Sequence, residues 1–219
     1  MRLPSGPYDV VVVGAGIYGL PVAYFLAALH GARVLVVEDN TIPGECITVN
    51  TGGIIRVAYS NPDVIRVAAF AREIYINPTD RLELKAPLTA GFIQAGWGRF
   101  IHADTAAGAL SAIERIADRA RDLGIGGLRV ESRETFLGSL TPSRRENLEK
   151  IADVKDFTHV LVDDRGGYAD GGTALLAVFQ ACLEAGVSVS LYSTVTDFLR
   201  VGDRVTGLVL ERWSRSGEE

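Results

Sequence analysis

Three glycines near the amino end have the spacing of a phosphate-binding loop. Residues 14–19 read GAGIYG. Gly14 permits a tight turn, Gly16 lets the backbone approach a pyrophosphate because it has no Cβ, and Gly19 lets a helix pack closely on a strand. The N–H groups at the start of such a helix point at the phosphates, and its dipole favours their negative charge. The sequence therefore predicts a dinucleotide-binding loop.

An acidic residue lies where a ribose-binding side chain belongs. Glu38 follows Gly19 by about 20 residues, at the end of a second apolar run. A carboxylate there accepts hydrogen bonds from ribose hydroxyls and repels a 2′-phosphate, so NADP is the least expected of the usual dinucleotides. The alternative interpretation is an ordinary glycine turn with Glu38 on the surface. The position of the loop between an apolar strand and a helix favours the dinucleotide.

The elements that must position these residues form a strand–helix–strand unit. Residues 10–13 and 33–38 are short apolar runs with the β-branched content of strands buried on both faces, as in parallel sheets. Residues 17–30 predict the connecting helix, which Gly31 ends. The whole unit has the length of a βαβ crossover.

The remainder of the chain predicts a change of architecture and a return. Asn61-Pro62 predicts the start of a helix that runs to Tyr75. The pattern then predicts short antiparallel strands over 82–102, a helix over 105–122, a helix over 174–185, a strand over 187–192 and a strand pair over 194–210, with 129–162 unassigned. We therefore expect an α/β fold with a parallel sheet, interrupted by a partial α+β insertion: residues 1–82 and 166–219 form the nucleotide domain and 83–165 the insertion.

Composition restricts the class of protein. The 219 residues are 47% hydrophobic with a net charge of -5, which is typical of a globular domain and argues against a nucleic-acid partner. Cys46 and Cys182 are the only cysteines, so we expect no disulfide framework and a reducing, cytoplasmic location. The apolar stretch 10–29 is interrupted by three glycines and Pro21, and we expect neither a targeting segment nor a membrane span.

Four segments resemble the D-amino-acid oxidase-type FAD oxidoreductases, the group that includes sarcosine oxidase and glycine oxidase. They are residues 8–38, 51–63, 166–170 (GGYAD) and 186–207. The resemblance implies a Rossmann-like domain that binds FAD. It implies a non-covalent bond, because Asn50-Thr51 precedes the Gly-Gly pair where some relatives have an attaching histidine. The cofactor contacts that the motif and the resemblance imply are Gly14, Gly16, Ile17, Tyr18, Gly19, Glu38, Asp39, Asn50, Thr51, Gly52, Gly53 and Val195.

The segment 54–59, IIRVAY, is especially similar to sarcosine oxidase, where the matching arginine helps to hold the substrate carboxylate. A guanidinium suits that role because its planar fork holds a carboxylate bidentately and stays charged. Arg56 is therefore the candidate catalytic-site residue. A structural salt bridge, or a contact with flavin or phosphate, remains the alternative for it.

The resemblance implies oxidation of an amino acid or secondary amine by hydride transfer to flavin. Two alternatives stay open: an NAD-dependent dehydrogenase, and a non-enzymatic nucleotide-binding subunit from a truncated or split gene. Because the family's sequence continues beyond the part matched here, we expect a homo-oligomer or a complementary chain, and weak turnover without it. The sequence departs from the family at Asp39, often a basic position, and at Gly171, which replaces a proline after Asp170.

Other reactive side chains are given structural roles. His30, His102 and His159 are far apart in sequence, so no metal site is predicted. Cys46 is expected to pack within its loop. Trp97 and Phe100 could line a substrate site, but the core is the expected place for aromatic residues in short strands.

Overall fold

The computed structural model describes residues 7–45, 47–105, 108–151 and 156–212. Within them the chain is a mixed α/β protein that divides into two compact units. The first unit comprises Met1–Gly53, Ile74–Phe92 and Ala169–Glu219, and the second comprises Ile54–Glu73 and Ile93–Tyr168.

The elements alternate between strands and helices along most of the chain. The helices are α1 (Gly19–His30), α2 (Pro62–Ile76), α3 (Pro78–Arg81), α4 (Ala109–Asp122), α5 (Arg133–Ser139), α6 (Pro142–Glu149) and α7 (Gly171–Glu184). The strands are β1 (Val10–Val13), β2 (Val34–Val37), β3 (Ile54–Ile55), β4 (Phe92–Ile93), β5 (Trp97–His102), β6 (Leu128–Ser132), β7 (Phe157–Asp163), β8 (Gly167–Ala169), β9 (Ser188–Ser190), β10 (Ser193–Val201) and β11 (Arg204–Arg212).

A parallel sheet of order β1-β2-β9 forms the centre of the first unit. All four residues of β2 are buried, as its continuous apolar sequence predicts. Helices α1 and α7 pack together beside it, and Leu20, Leu175 and Cys182 are almost fully buried in their shared core. The predicted βαβ unit is confirmed, but the helix begins at Gly19 instead of residue 17.

Capping residues define the ends of these helices. Gly31 has a left-handed φ of 62° and its N–H donates to the carbonyl of Ala27, which ends α1. Asp170 caps α7, because its carboxylate accepts the backbone N–H of Thr173. The predicted strand pair is the hairpin β10–β11, which turns at Gly202 with a φ of 59°.

An antiparallel sheet of order β5-β7-β6 is the main feature of the second unit. Helix α4 contributes Ile113, Ile116 and Ala117 to a core that also contains Leu161. A separate cluster of Phe100, Phe136 and Phe157 joins this sheet to α5 through edge-to-face ring contacts. The described strands also form a small sheet of order β3-β8-β4.

Several sequence expectations are corrected by the structure. The short strands predicted over 82–102 are β4 and β5, which occupy only the second half of that range, and a helical turn, α3, precedes it. The unassigned stretch 129–162 contains α5 and α6 between two sheet strands. Residues 54–73 group with the second unit, whereas the predicted boundary placed them in the nucleotide domain. The domain assignment itself stays a prediction.

Candidate functional site

The three loop glycines differ in why they must be glycine. Gly14 has a φ of +100°, a conformation that L side chains rarely adopt. A Cβ on Gly19 would lie 2.0 Å from the carbonyl oxygen of Gly14, so the turn and the helix pack too closely for any side chain. A Cβ on Gly16 would have only the Thr48 hydroxyl oxygen nearby, at 3.4 Å. Packing among the described residues therefore does not require glycine at position 16.

Glu38 lies at the junction of three strands. Its backbone N–H donates to the Ser190 carbonyl at 2.9 Å, and its own carbonyl accepts the N–H of Ser193 at 2.9 Å. The buried side chain reaches the glycine loop, where Oε2 accepts the N–H of Ala15 at 2.7 Å. Oε1 accepts the backbone and side-chain N–H groups of Asn40, at 2.9 and 2.8 Å. Glu38 thus fixes the loop against the end of β2.

Local hydrogen bonds lower the pKa of the Glu38 carboxyl. Burial raises the pKa of the Glu38 carboxyl, but bonds from Asp39, Ala15 and Asn40 together outweigh it and hold the pKa below its ordinary value. The hydrogen bond with Glu38 is also the main reason why the pKa of the exposed Asp39 carboxyl is raised. A carboxylate oxygen has two lone pairs, and Oε2 accepts one hydrogen bond, from Ala15.

Thr48 is a site residue that the sequence analysis missed. Its hydroxyl accepts the N–H of Ile17 at 3.2 Å, one of the N–H groups at the start of α1. It is buried in a 3₁₀ turn over Thr48–Asn50, and a Cβ on Gly171 would lie 2.0 Å from its carbonyl oxygen. Thr48 therefore links the glycine loop to the start of α7. Its one sequence signal was its place just before the segment that resembles the family's flavin loop.

The loop over residues 50–53 is fixed at one end. Gly53 has a φ of +58°, and a Cβ there would lie 1.9 Å from the carbonyl oxygen of Ala169. Its carbonyl also accepts the N–H of Ala169 at 2.9 Å. Thr51 and Gly52 are exposed, and a Cβ on Gly52 would meet nothing within 4 Å. Asn50 ends the 3₁₀ turn.

The remaining candidate cofactor residues also belong to the first unit. Val195 is partly buried in β10, opposite Leu210 and two residues beyond Ser193, which donates to the Glu38 carbonyl. Tyr18 is 89% exposed at the position before α1. The structure thus gathers the glycine loop, Glu38, Asp39 and the 50–53 loop in one unit, with β10 connected to Glu38.

Arg56 lies in the second unit. Its Cζ is 4.9 Å from the centre of the Tyr59 ring and 4.7 Å from that of Trp97. Its Nη1 donates to the Ala58 carbonyl at 3.4 Å. None of the described acidic side chains comes within ion-pair distance of Arg56, so these residues do not supply the salt bridge that the sequence left as an alternative. Trp97 also packs against the core of this unit, as the sequence predicted.

The other reactive groups do not gather into a site. The described parts of the chain contain no cluster of three or more metal-ligating side chains. Cys182 is a buried free thiol, and Cys46 lies outside the described residues. No described helix is both long enough and apolar enough to cross a membrane.

Curated relatives share part of their length with this chain. The bovine (Bos taurus) FAD-dependent oxidoreductase domain-containing protein 1 is 38% identical over 102 residues, which cover 44% of this chain and 21% of that protein. The sarcosine oxidase subunit beta of an Arthrobacter species is 27% identical over 215 residues, which cover 95% of this chain and 49% of the subunit. The chain therefore spans about a fifth to a half of these relatives.

Solved structures share its fold. The L-proline dehydrogenase from P. horikoshii is 20% identical with a TM-score of 0.71, over 94% of this chain and 50% of that one. The glycine oxidase from Bacillus cereus is 21% identical with a TM-score of 0.64, over 93% of this chain and 51% of that one. These likenesses confirm the Rossmann-like α/β fold.

A family match covers nearly the whole sequence. The family described as FAD dependent oxidoreductase matches residues 9–219. This match includes the glycine loop, Glu38, the 50–53 loop and Arg56. It decides the question of the cofactor in favour of FAD over NAD. The chain belongs to the family of FAD-dependent oxidoreductases.

Proposed function

We propose that this chain is the FAD-binding part of an oxidoreductase that oxidises an amino acid or a secondary amine. The observation that carries the proposal is the family match over residues 9–219, together with a glycine loop held in hydrogen-bond contact with Glu38. When bound, FAD supplies the hydride acceptor, and the protein's part is to bind and orient. The relatives named above include a sarcosine oxidase subunit and an L-proline dehydrogenase, which supports this class of substrate.

The first unit has the features needed to hold a dinucleotide. Residues 16–18 lead into α1, and the partial positive charge at the start of that helix would favour a pyrophosphate there. Position 16 has room for a ligand, because a Cβ built on Gly16 would have the Thr48 hydroxyl oxygen as its nearest neighbour, at 3.4 Å. Glu38 would accept a ribose hydroxyl through its oxygens, and Thr48 would orient the loop.

The other proposed contacts follow the family resemblance. Asp39 would lie near the adenosine, and Val195 would meet the adenine through its backbone. Residues 50–53 would run under the flavin, with Gly53 fixing the loop on Ala169. Without a histidine in that loop, the protein would hold FAD non-covalently.

Arg56 would bind the carboxylate of the substrate. Its guanidinium has no acidic partner among the described residues, so its charge is available to an anion. The rings beside it exclude water from part of its surface, and this strengthens a charge-assisted hydrogen bond.

The partner is proposed from one relative and the location from the cysteine usage. Since one relative is named as a subunit of sarcosine oxidase, we propose that this chain works as an oligomer or with a complementary chain. A cytoplasmic location is proposed from the cysteine usage alone.

Turnover by the FAD-loaded protein tests the proposal. Sarcosine, glycine, proline and common D-amino acids are offered in turn, with an artificial dye as electron acceptor. We expect dye reduction with at least one of them, and Arg56→Ala should raise KM for that substrate while leaving the FAD content unchanged. Absence of dye reduction across the whole panel, in the presence of any natural partner, would contradict the substrate class and leave FAD binding intact.

A further inference from the structure

Arg56 differs from three other arginines of the second unit. Arg72, Arg129 and Arg165 each form an ion pair with an acidic side chain. The described residues offer Arg56 no such partner, although it is partly buried. A partly desolvated charge without a counter-charge is costly unless something else compensates it. Other groups beside Arg56 must therefore compensate for the missing counter-charge.

Two aromatic rings surround the guanidinium in place of a carboxylate. The Cζ of Arg56 lies 4.9 Å from the Tyr59 ring centre and 4.7 Å from the Trp97 ring centre, both within the range of about 6 Å for a cation–π interaction. A guanidinium can stack on aromatic rings and still donate through its N–H groups. One N–H group donates to the Ala58 carbonyl, and a guanidinium has five. Donors therefore remain for a bidentate carboxylate.

The main chain beside Arg56 is fixed by a buried ion pair. The N–H of Val57 donates to Oδ2 of Asp163 at 2.9 Å, and Oδ1 of Asp163 accepts Nη1 of Arg72 at 3.1 Å. Asp163 is 0% exposed and Arg72 is 1% exposed. The peptide that follows Arg56 is therefore hydrogen-bonded to a buried ion pair, which fixes its position in the core.

Asp163 also connects its ion pair with Arg72 to the strand that carries the Trp97 ring. It pairs with Trp97 across the antiparallel ladder of β5 and β7. Trp97 in turn packs closely, because a Cβ on Gly166 would lie 3.0 Å from the Cβ of Trp97. One residue of β7 thus holds both the backbone of the Arg56 segment and the strand that carries the ring.

We propose that Tyr59, Trp97 and Asp163 are positioning residues for Arg56. The two rings orient the guanidinium, and Asp163 fixes the backbone from which it extends. The result is an arginine that is already in place before a carboxylate binds, which lowers the entropy lost on binding. This inference rests on the proposed role of Arg56 toward the substrate carboxylate.

Binding of acetate to the FAD-loaded full protein tests the rings. Acetate is titrated while the flavin absorbance is followed, with acetamide as the neutral control. We expect Arg56→Ala to lose acetate binding, and Tyr59→Leu and Trp97→Leu to weaken it about three- to thirty-fold. Tyr59→Phe and Trp97→Phe keep a ring and should stay within about two-fold of the parent.

A second measurement needs neither FAD nor turnover. Trp97 and Trp213 are the two tryptophans of the chain, so Trp213→Phe leaves Trp97 as the sole indole emitter. In that background Arg56→Ala should change the emission of Trp97, because a cation leaves the ring. This measurement keeps the proposal testable if a leucine variant does not fold.

The outcomes separate the inference from the proposed function. Folded leucine variants that bind acetate as tightly as the parent would overturn the positioning role, as would phenylalanine variants that lose as much as the leucine ones. An unchanged Trp97 emission would overturn the ring contact. Acetate binding that is absent in the parent, or that survives Arg56→Ala, would overturn the role of Arg56 itself, and the positioning inference with it.

Discussion

At the scale of single residues, the glycine loop combines two requirements. Gly14 and Gly19 are demanded by the backbone itself, one by a φ of +100° and the other by a 2.0 Å approach. Gly16 has no such demand among the described residues, and the proposed pyrophosphate contact would account for its missing side chain. Both kinds of glycine were predictable from spacing. The contact of Thr48 was not, because a hydroxyl that accepts an N–H from 31 residues away leaves no local pattern.

Substitution of these glycines should separate folding from binding. Gly16→Ala is expected to leave the free energy of unfolding within about 0.5 kcal/mol, but to abolish FAD binding because its Cβ takes the place of the pyrophosphate. Gly19→Ala, the matched control, should cost about 1–3 kcal/mol of stability through overpacking. Urea unfolding and FAD titration of both variants measure this. Retained FAD binding by Gly16→Ala would show that the phosphates lie elsewhere.

Glu38 should contribute directly to cofactor affinity. Glu38→Ala is expected to weaken FAD binding by about 1–3 kcal/mol, the range for hydrogen bonds to charged groups. Glu38→Gln keeps the shape and one acceptor oxygen, so its loss should be smaller. Calorimetric titration with FAD gives the three dissociation constants. An unchanged constant in Glu38→Ala would mean that this carboxylate serves only Ala15 and Asn40.

At the scale of elements, hydrophobic periodicity predicted the βαβ unit, α4, α7 and the β10–β11 hairpin. It did not predict α5 and α6, which have no fully buried residue; α5 contributes only the partly buried Phe136 and Leu137 to an apolar cluster. The pairing of β5 with β7 was also unpredictable, since it joins strands that are distant in sequence. The burial and the contacts of a residue therefore depend on elements that are distant in sequence, and a local sequence pattern does not predict them.

A thiol buried between α1 and α7 should make the free energy of unfolding fall at alkaline pH. Burial raises the pKa of the Cys182 thiol to about 12, from an ordinary value of 9.0, and the thiol donates to the Leu20 carbonyl. Above pH 9 the unfolded chain loses this proton and the folded chain keeps it. Stability should therefore fall as the pH rises from 9 towards 12, by up to about 1.4 kcal/mol per pH unit from this thiol.

Urea unfolding at pH 8 and pH 10 measures the effect of this thiol. Cys46→Ala serves as the parent so that Cys182 is the only thiol present. The double variant with Cys182→Ala should be less stable at pH 8 but should lose less stability on going to pH 10. An equal loss in both proteins would contradict the assignment to Cys182.

The ion pair between α2 and β7 should be important for stability. Asp163→Asn leaves Arg72 buried without its counter-charge, and we expect a cost of about 3–5 kcal/mol. Glu73→Gln breaks the more exposed pair with Arg165 and should cost less than about 1 kcal/mol. Chemical denaturation of both variants compares the two. A loss of similar size in the two variants would contradict the anchoring role given to Asp163.

At the scale of the whole molecule, the chain contains a dinucleotide-type unit and a second unit that carries Arg56. The sequence predicted both architectures. It did not predict that residues 54–73 belong with the second unit. These residues contain most of α2, and the sequence pattern of a helix does not indicate which unit the helix packs in. The family match and the glycine loop that contacts Glu38 both belong to FAD binding.

Release of flavin on denaturation tests whether the protein binds FAD and whether it does so without a covalent bond. The purified protein is saturated with FAD, freed of excess ligand, examined for flavin absorbance bands, then denatured with acid and centrifuged. We predict that the folded protein retains FAD, that all of the flavin appears in the supernatant, and that Gly16→Ala retains none. Flavin that stays with the pellet would contradict the non-covalent bond. A folded protein that retains no FAD would contradict the account of the site itself.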